Sequence, residues 1–237
     1  MQHKLWYLKR CTLFEGLTPE EADRLDHRAL VRNFPRGSLV YGPGEAGESV
    51  LVLAEGRVKI KDLTPDGKET ILAFIEPGEL FGELALLDEE PRREYAEAVQ
   101  PSRVLSLPRE EVQRLLESRP DLALRLTQIV GVRRRRIENR LRNVLFLSSR
   151  ERLMRLICEL AETYGEHVGG RCQIRLPLSH QVLASLIGVT RETVTHVLGQ
   201  LQAEGLVRTR RRKLIVLDSR RLAAGCNGSL SAWSSRM

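Results

Sequence analysis

The sequence has no long apolar run, and this absence excludes a membrane-spanning helix. Its longest apolar segments, Val50–Ala54 and Ile71–Ile75, are far shorter than the roughly 20 residues that such a helix needs. The first ten residues also lack the sustained apolar stretch of a secretory signal. We therefore expect a protein that lies in the cytoplasm and does not contact a membrane.

Cysteine and histidine are scarce, with four and five copies in 237 residues. Cys11, Cys158, Cys172 and Cys226 are too scattered for a disulfide framework, and no two of them have the two-residue gap of metal or redox sites. The chain has no histidine cluster for a metal, no nucleophile with a histidine base and no phosphate-binding glycine loop. These absences predict no catalytic residues and no metal ligands, so we expect a protein that is not an enzyme.

Charge is abundant but divided by sign along the chain. Residues 1–118 contain 16 basic and 22 acidic residues, a net charge of −6, whereas residues 119–237 contain 22 basic and 9 acidic residues, a net charge of +13. An acidic front and a strongly basic back indicate two different tasks on one chain. The basic part is typical of a domain that binds a polyanion such as nucleic acid.

The front part, residues 1–118, has the pattern of an antiparallel β-structure with flanking helices. Thr18-Pro19-Glu20-Glu21 is a helix start with a threonine cap and acids in the first turn. Short runs rich in Val, Leu and Ile then alternate with Gly, Pro and Asp turn signals up to Leu107. Strands of this length and spacing predict a sandwich or roll whose interior can hold a small molecule.

Residues 119–147 read as one long helix, which Pro120-Asp121 starts. Its apolar positions recur at gaps of mostly three and four, which defines a helical seam. A single apolar stripe on a rod of about 40 Å favours pairing with a partner helix over packing on its own domain. The predicted dimer seam consists of Leu122, Leu126, Ile129, Arg133, Ile137, Leu141 and Val144.

Residues 148–218 predict a winged helix-turn-helix. Ser179 can cap a first helix, Gly188 ends it where a left-handed turn is least costly, and Thr190 can cap a second helix. Arg191, Glu192, Thr195 and His196 then lie at the exposed start of the second helix, which is the helix that enters the major groove in this motif. A basic hairpin follows at 205–217, and its tip, which includes Arg211 and Arg212, is predicted to contact phosphates. The small, polar segment 219–237 reads as a disordered tail.

Together these residues resemble the cyclic-AMP receptor protein (CRP/FNR) family of bacterial transcription regulators. The resemblance covers about residues 10–218, and it is carried by the segment from Phe81 to Leu87 with Pro91-Arg92 and by the segment from Gly188 to Val194. It implies an α+β fold: an N-terminal antiparallel β-roll of the cyclic-nucleotide-binding, double-stranded β-helix type, a central dimerisation helix and a C-terminal winged helix-turn-helix. It also implies a homodimer on a two-fold symmetric DNA site.

The resemblance assigns roles in DNA binding to residues of this chain. Arg191 and Glu192 fall on base-reading positions, and Thr190 and Thr195 lie beside them. His196 falls where many members carry an arginine, so we expect a site related to the family's TGTGA-like half-site with an altered preference at one base pair. Residues Ser179, His180 and Gln181 would approach phosphates.

The resemblance also implies an effector pocket in the roll. In nucleotide-binding members the phosphate lies against a Gly-Glu-Leu turn and an Arg-Ser pair, the glutamate takes the ribose hydroxyl, and two central-helix residues bind adenine. The matching positions here are Gly82, Glu83, Leu84, Arg92, Arg93, Ile137 and Glu138. An isoleucine cannot replace the hydrogen bonds to adenine. Arg93 stands where those members have the serine, and the following Glu94 would place a negative charge near the phosphate. For these reasons cyclic AMP is disfavoured as the ligand.

Other effectors remain as alternatives. Cys11 stands alone, which argues against an iron–sulfur sensor, and residues 28–166 contain no histidine and only Cys158, which argues against haem. A 2-oxoglutarate-type ligand stays open, and so does an effector-independent regulator whose pocket is filled by side chains such as Arg93 and Glu138. We predict no fixed cofactor, with a cyclic nucleotide or another small molecule as the class of ligand that the roll can hold.

The sequence thus predicts a DNA-binding transcription regulator with double-stranded DNA, a second copy of itself and RNA polymerase as partners. Two alternatives stay open: a cyclic-AMP-dependent activator, and a nucleotide-binding regulatory module that does not bind DNA. The motif from Thr190 to Val194 and the basic hairpin argue against the second of these.

Overall fold

The computed structural model describes residues 3–87, 90–168, 171–210 and 213–225. The chain divides into two compact units, residues 1–135 and 136–237. In the described part of the chain, no helix combines the length and the apolar character that a membrane crossing requires.

The first unit contains helices α1 (His3–Arg10), α2 (Pro19–Arg28) and α3 (Arg109–Ser118) and a short 3-10 helix over Thr12–Phe14. Helix α2 begins at the predicted cap. The Thr18 hydroxyl accepts a hydrogen bond from the Glu21 amide, and the Glu21 carboxylate accepts one from the Thr18 amide, at 3.3 and 2.8 Å. This reciprocal pair satisfies two amides that the first turn of a helix otherwise leaves without partners.

Eight strands of the first unit form two antiparallel sheets. They are β1 (Leu30–Phe34), β2 (Leu39–Tyr41), β3 (Ser49–Glu55), β4 (Val58–Leu63), β5 (Glu69–Ile75), β6 (Leu80–Phe81), β7 (Tyr95–Ala98) and β8 (Ser102–Pro108). One sheet has the order β1-β8-β3-β6 and the other the order β2-β7-β4-β5. The chain passes repeatedly between the sheets, and buried residues of both, such as Leu53, Val58 and Phe81, share one core. The predicted antiparallel β-roll is confirmed.

The long helix α4 (Pro120–Phe146) contains 27 residues. The prediction of a dimer seam along its whole length is corrected in its first half, because that half packs on its own unit. Leu122 and Leu126 are buried in the core beneath the roll, and Ile129 packs against the same core. Farther along the helix, Ile137, Leu141 and Val144 are exposed, with Leu141 at 58%. These three residues remain accessible to a partner.

The second unit contains α5 (Ser149–Tyr164), α6 (His180–Ile187), α7 (Arg191–Ala203) and α8 (Ser219–Ala224). Its strands β9 (Gly165–Val168), β10 (Arg171–Ile174), β11 (Val207–Arg210) and β12 (Lys213–Val216) form an antiparallel sheet of order β11-β12-β10-β9. The helices α6 and α7 and the hairpin β11–β12 are the predicted winged helix-turn-helix. The α+β fold class predicted from the sequence is therefore confirmed.

The segment after residue 218 differs from the predicted disordered tail in its first residues. Helix α8 is capped by Asp218, whose side chain accepts a hydrogen bond from the Arg221 amide at 2.9 Å. Leu222 is fully buried. The buried Leu222 side chain and the Asp218 cap both help to dock this short helix, whereas residues 226–237 lie outside the described part of the chain.

We predict that Leu222→Ala lowers the free energy of unfolding by about 2–4 kcal/mol, since it removes a fully buried side chain. The matched control Arg220→Ala, at an exposed position of the same helix, should change it by less than about 0.5 kcal/mol. Urea denaturation followed by circular dichroism measures both. Equal, small effects would show that α8 contributes nothing to the fold.

Candidate DNA-binding surface and effector pocket

The two helices of the helix-turn-helix are bounded by the residues that the sequence predicts. The Ser179 hydroxyl accepts a hydrogen bond from the Val182 amide at 3.2 Å at the start of α6. Gly188 ends that helix with φ 68°, a conformation that other residues adopt at a cost. The Thr190 hydroxyl accepts a hydrogen bond from the Thr193 amide at 3.2 Å at the start of α7. The two side-chain caps and the left-handed glycine together fix the turn between the helices.

Helix α7 has one buried and one exposed face. Val194, Val197, Leu198 and Leu201 are buried against the rest of the unit. Arg191, Glu192, Thr195 and His196 are exposed. Thus the four predicted base-reading side chains lie near the beginning of α7, where a ligand as large as double-stranded DNA can reach them.

A hydrogen-bond chain ties the start of α6 to the start of α7. The Thr195 hydroxyl donates to the Arg191 carbonyl at 2.9 Å, and Nδ1 of His180 lies 2.7 Å from the same hydroxyl oxygen. Since the hydroxyl has given its only proton to the carbonyl, Nδ1 of His180 is the donor. The predicted phosphate-side residue His180 and the predicted base-side residue Thr195 therefore belong to one network.

His196 is oriented by its own helix. Its Nε2 lies 3.0 Å from Nε2 of Gln200, one turn later. Because the amide nitrogen of glutamine only donates, the ring nitrogen accepts, and the neutral imidazole then carries its proton on Nδ1. The ring offers one donor to a ligand, where an arginine offers a fork of donors.

The hairpin β11–β12 lies beside this surface as the wing. The Gln202 side chain of α7 accepts hydrogen bonds from the amide and the hydroxyl of Thr209, at 3.1 and 2.9 Å. A cleft of about 510 Å³ opens between the starts of α6 and α7 and the wing. Arg191, Arg210 and Lys213 are among the residues that line this cleft, and their side chains make it basic. The predicted wing residues Arg211 and Arg212 lie outside the described residues.

In the first unit, the predicted effector residues Gly82 and Arg92 lie against each other. Gly82 has φ 66°, and a Cβ on it would lie 2.5 Å from Nη1 of Arg92. Arg92 Nη2 donates to the Ser49 carbonyl at 2.6 Å, and its guanidinium lies 4.1 Å from the centre of the Tyr41 ring. The glycine is thus needed both for the left-handed turn and for the space that the guanidinium occupies.

Tyr41 and Glu94 complete this cluster; the sequence pattern points to the charge of Glu94 but does not identify Tyr41. The Tyr41 hydroxyl donates to Oε1 of Glu94 at 2.9 Å. Burial raises the pKa of Tyr41, and the Glu94 carboxylate raises it further. Tyr41 therefore stays neutral and a hydrogen-bond donor at physiological pH. No motif marks Tyr41, because its place depends on how β2 meets the loop before β7.

Glu83 is buried at 7% exposure, and its partner is Arg133 from α4. Nη1 of Arg133 lies 2.5 Å from Oε2 of Glu83, and Arg133 also donates to the Leu80 carbonyl. Arg133 was predicted to lie on a dimer seam, and this prediction is corrected: the charge points to a carboxylate of its own unit. A single arginine on an apolar helical stripe is the sequence signal for such a buried acidic partner.

The other predicted effector residues are dispersed. Arg93 is exposed and pairs with Glu90, so the hypothesis that Arg93 fills the pocket is corrected. Leu84 is half-exposed at the surface of the roll. Ile137 and Glu138 are exposed residues of α4 that belong to the second unit.

Within the described ranges, no group of three His, Cys, Asp or Glu residues could hold a metal ion. Cys11, Cys158 and Cys172 are buried. Burial raises the pKa of Cys11 to about 11, so its thiol is protonated at neutral pH. These thiols fill core positions.

The roll, the long helix and the winged helix-turn-helix define a class of protein: a transcription regulator with a cyclic-nucleotide-binding-type domain ahead of its DNA-binding domain. The model of the cyclic nucleotide-binding domain matches residues 31–119, and that of the Crp-like helix-turn-helix domain matches residues 151–224. The chain belongs to the CRP/FNR family of transcription regulators.

Named relatives agree with this assignment. The CRP-like cAMP-activated global transcriptional regulator of Mycobacterium tuberculosis is 31% identical over 216 residues, covering 91% of this chain and 96% of the relative. The cyclic AMP receptor protein of Thermus thermophilus is 35% identical over 201 residues, covering 85% and 90%. The solved structure of FixK2 from Bradyrhizobium japonicum superposes with a TM-score of 0.74 at 25% identity, covering 85% of this chain and 98% of that one.

We predict that Arg133→Met lowers the free energy of unfolding by about 2–4 kcal/mol, because it leaves the buried Glu83 carboxylate without its counter-charge. Adding Glu83→Gln should recover part of the loss, since the amide needs no counter-charge. Arg135→Met, at an exposed position two residues away, serves as the control. Urea titrations at one protein concentration measure all four proteins, and equal losses for Arg133→Met and Arg135→Met would contradict the assignment.

Proposed function

We propose that the protein is a cytoplasmic homodimer that binds a two-fold symmetric DNA site in a sequence-specific manner and regulates transcription there. The observation that carries the proposal is the exposed start of α7, with Arg191, Glu192, Thr195 and His196 beside a basic cleft. Membership of the CRP/FNR family supports it. We expect RNA polymerase to be a partner, as it is for transcription regulators that bind near promoters.

In the proposed complex, α7 enters the major groove and its first residues read base edges. Arg191 can bind guanine through two hydrogen bonds, and Glu192 can accept one from cytosine N4. His196 offers one donor, so discrimination at its base pair is weaker than with an arginine. The expected site is a variant of the TGTGA-like half-site with an altered preference at that base pair.

Phosphate contacts are proposed for the residues around the basic cleft. Ser179, His180 and Gln181 stand at the start of α6, where backbone amides favour a negative group. On the wing, Arg208 is exposed and Arg210 and Lys213 line the cleft. Contacts of this kind position the protein without reading sequence, and they make its affinity fall steeply as salt rises.

Dimerisation is proposed through the later part of α4. Ile137, Leu141 and Val144 are exposed there, and the next residues Leu145 and Phe146 are exposed as well, Phe146 at 78%. A helix with so much exposed apolar surface gains stability when a second copy covers it. A two-fold dimer of helix-turn-helix units fits half-sites about one helical turn apart.

For the effector, we propose that cyclic AMP does not control the protein, which is either effector-independent or responsive to another small molecule. Both relatives described above are named for cyclic AMP, and this favours the alternative of a cyclic-AMP-dependent activator. Three features of this chain argue against it. Ile137 stands where the cyclic-AMP receptor hydrogen-bonds adenine, Glu83 already holds Arg133, and Glu94 places a carboxylate near Arg92.

We predict that Arg191→Ala weakens binding to the preferred duplex by about 1–3 kcal/mol and relaxes one base pair of the site, because it removes a base contact. Arg208→Ala, on the exposed wing, should instead weaken binding to all duplexes alike. Fluorescence anisotropy titrations of labelled duplexes with two TGTGA-like half-sites, over excess nonspecific DNA, measure both.

The same titrations test the rest of the proposal. Affinity should fall steeply between low and high salt, and cyclic AMP should leave the midpoint unchanged. A flat response to salt would contradict DNA binding through phosphates. An equal loss on every sequence for Arg191→Ala would mean that Arg191 contacts only phosphate.

We predict that Leu141→Asp dissociates the dimer and with it most of the DNA affinity, because two half-sites are then bound independently. The control Leu63→Asp introduces the same charge at a partly exposed leucine of the roll and should leave the dimer intact. Analytical ultracentrifugation measures the oligomeric state. A wild-type monomer, or a Leu141→Asp dimer as stable as the wild type, would refute the proposed interface.

A further inference from the structure

Two opposite charges are held on one tyrosine in the first unit. The Arg92 guanidinium lies over the face of the Tyr41 ring, at 4.1 Å from its centre, and the Glu94 carboxylate accepts the hydrogen bond of the Tyr41 hydroxyl at 2.9 Å. Tyr41 is 3% exposed, and its ring also stacks on Phe81. Because the ring is fixed by packing, it sets the distance between the two charges.

Neither charge is free to leave this arrangement without losing contacts. Arg92 donates to the Ser49 carbonyl at 2.6 Å and to the Gly82 carbonyl at 3.5 Å. If Glu94 moved away, the buried Tyr41 hydroxyl would lose its hydrogen-bond acceptor, which is costly for a polar group inside a protein. The ring radius and hydroxyl bond add about 3 Å to the two measured contacts, so that Glu94 lies within about 10 Å of the Arg92 guanidinium.

Glu94 also differs from Glu83 and Glu90 in how its charge is compensated. Glu83 is neutralised by Arg133 at 2.5 Å, and the neighbouring Arg93 pairs with Glu90 at the surface. The hydrogen-bond partner of Glu94 is a neutral phenol, so its negative charge is not cancelled by that contact.

We propose that Glu94 is a specificity-determining residue of the roll, which weakens the binding of cyclic nucleotides by repelling a phosphate that lies against Arg92. The inference rests on the proposed function, in which cyclic AMP does not control the protein, and on the family resemblance, which implies that a bound phosphate lies against Arg92. A phosphate about as far from Glu94 as Arg92 is, about 10 Å, meets a repulsion that weakens binding roughly tenfold at an effective dielectric constant of about 20. A neutral ligand, or one with a donor group at this end, does not meet this repulsion.

Isothermal titration calorimetry of the full chain tests the proposal, with cyclic AMP and cyclic GMP as the probes. Glu94→Gln keeps the size of the side chain and removes its charge, and it should bind both nucleotides at least tenfold more tightly than the wild type. A gain for both probes is expected because they share the cyclic phosphate and differ in the base.

Two variants separate charge from other causes. Glu94→Asp keeps the charge and should bind as weakly as the wild type, and Glu90→Gln removes an exposed carboxylate near Glu94 in sequence and should have no effect. Melting curves establish that each variant is folded, and Glu94→Ser replaces Glu94→Gln if that variant is not.

The result is a ratio of affinities between variants, measured without DNA, so a failure of DNA binding leaves it unaffected. Equal affinities of the wild type and Glu94→Gln, whether tight or below detection, would overturn the proposal. A gain for only one nucleotide, or an equal gain for Glu94→Asp, would also overturn it, since the cause would then be the base or the side-chain volume.

Discussion

The constraint on which much of the first unit depends is the burial of a carboxylate on the Gly82 turn. An isolated buried carboxylate costs several kcal/mol, and a counter-charge at short range is required to offset it. Arg133 supplies that charge from α4, which therefore has to lie against the roll with a defined register. Leu122 and Leu126 hold the earlier turns of the helix in the core, and the Glu83–Arg133 pair holds the next turns.

The same turn determines what the roll can bind. The positive φ of Gly82 leaves room for Arg92, and Arg92 is then held by two carbonyls and by Tyr41. Each charged group of the cluster already has a partner in the protein. A ligand gains only the difference between its own contacts and those it replaces, so a tight effector has to offer more than a single phosphate. An effector that displaced Arg133 from Glu83 would remove one of the contacts that hold α4 against the roll, and differential contacts of this kind can shift a conformational population.

The sequence predicts best the parts of the fold that are encoded locally. Ser179, Gly188 and Thr190 each act within four residues of their own position, and all three are found where their chemistry indicates. The seam on α4 was only partly predictable, since helical periodicity shows which face is apolar but not whether the covering surface belongs to the same chain. Tyr41 and Glu94 meet through the pairing of β2 with β7, a long-range contact that no local pattern encodes. Leu222 shows the same limit on a small scale, because the composition of its segment indicates a tail whereas its side chain is buried in the fold.

In the proposed complex with DNA, a weak base contact is combined with strong charge. His196 is oriented by Gln200 and presents one donor, so it discriminates less than a forked arginine would, whereas the residues from 119 onward have a net charge of +13. In the proposed complex, phosphate contacts then supply a larger share of the affinity, and this share is common to all sequences. The hydrogen bonds from His180 through Thr195 to the Arg191 carbonyl connect a residue proposed to contact phosphate with a residue proposed to contact a base. In the proposed complex, a phosphate contact that held His180 would, through these hydrogen bonds, also hold the first turn of α7, from which Arg191 is proposed to reach its base.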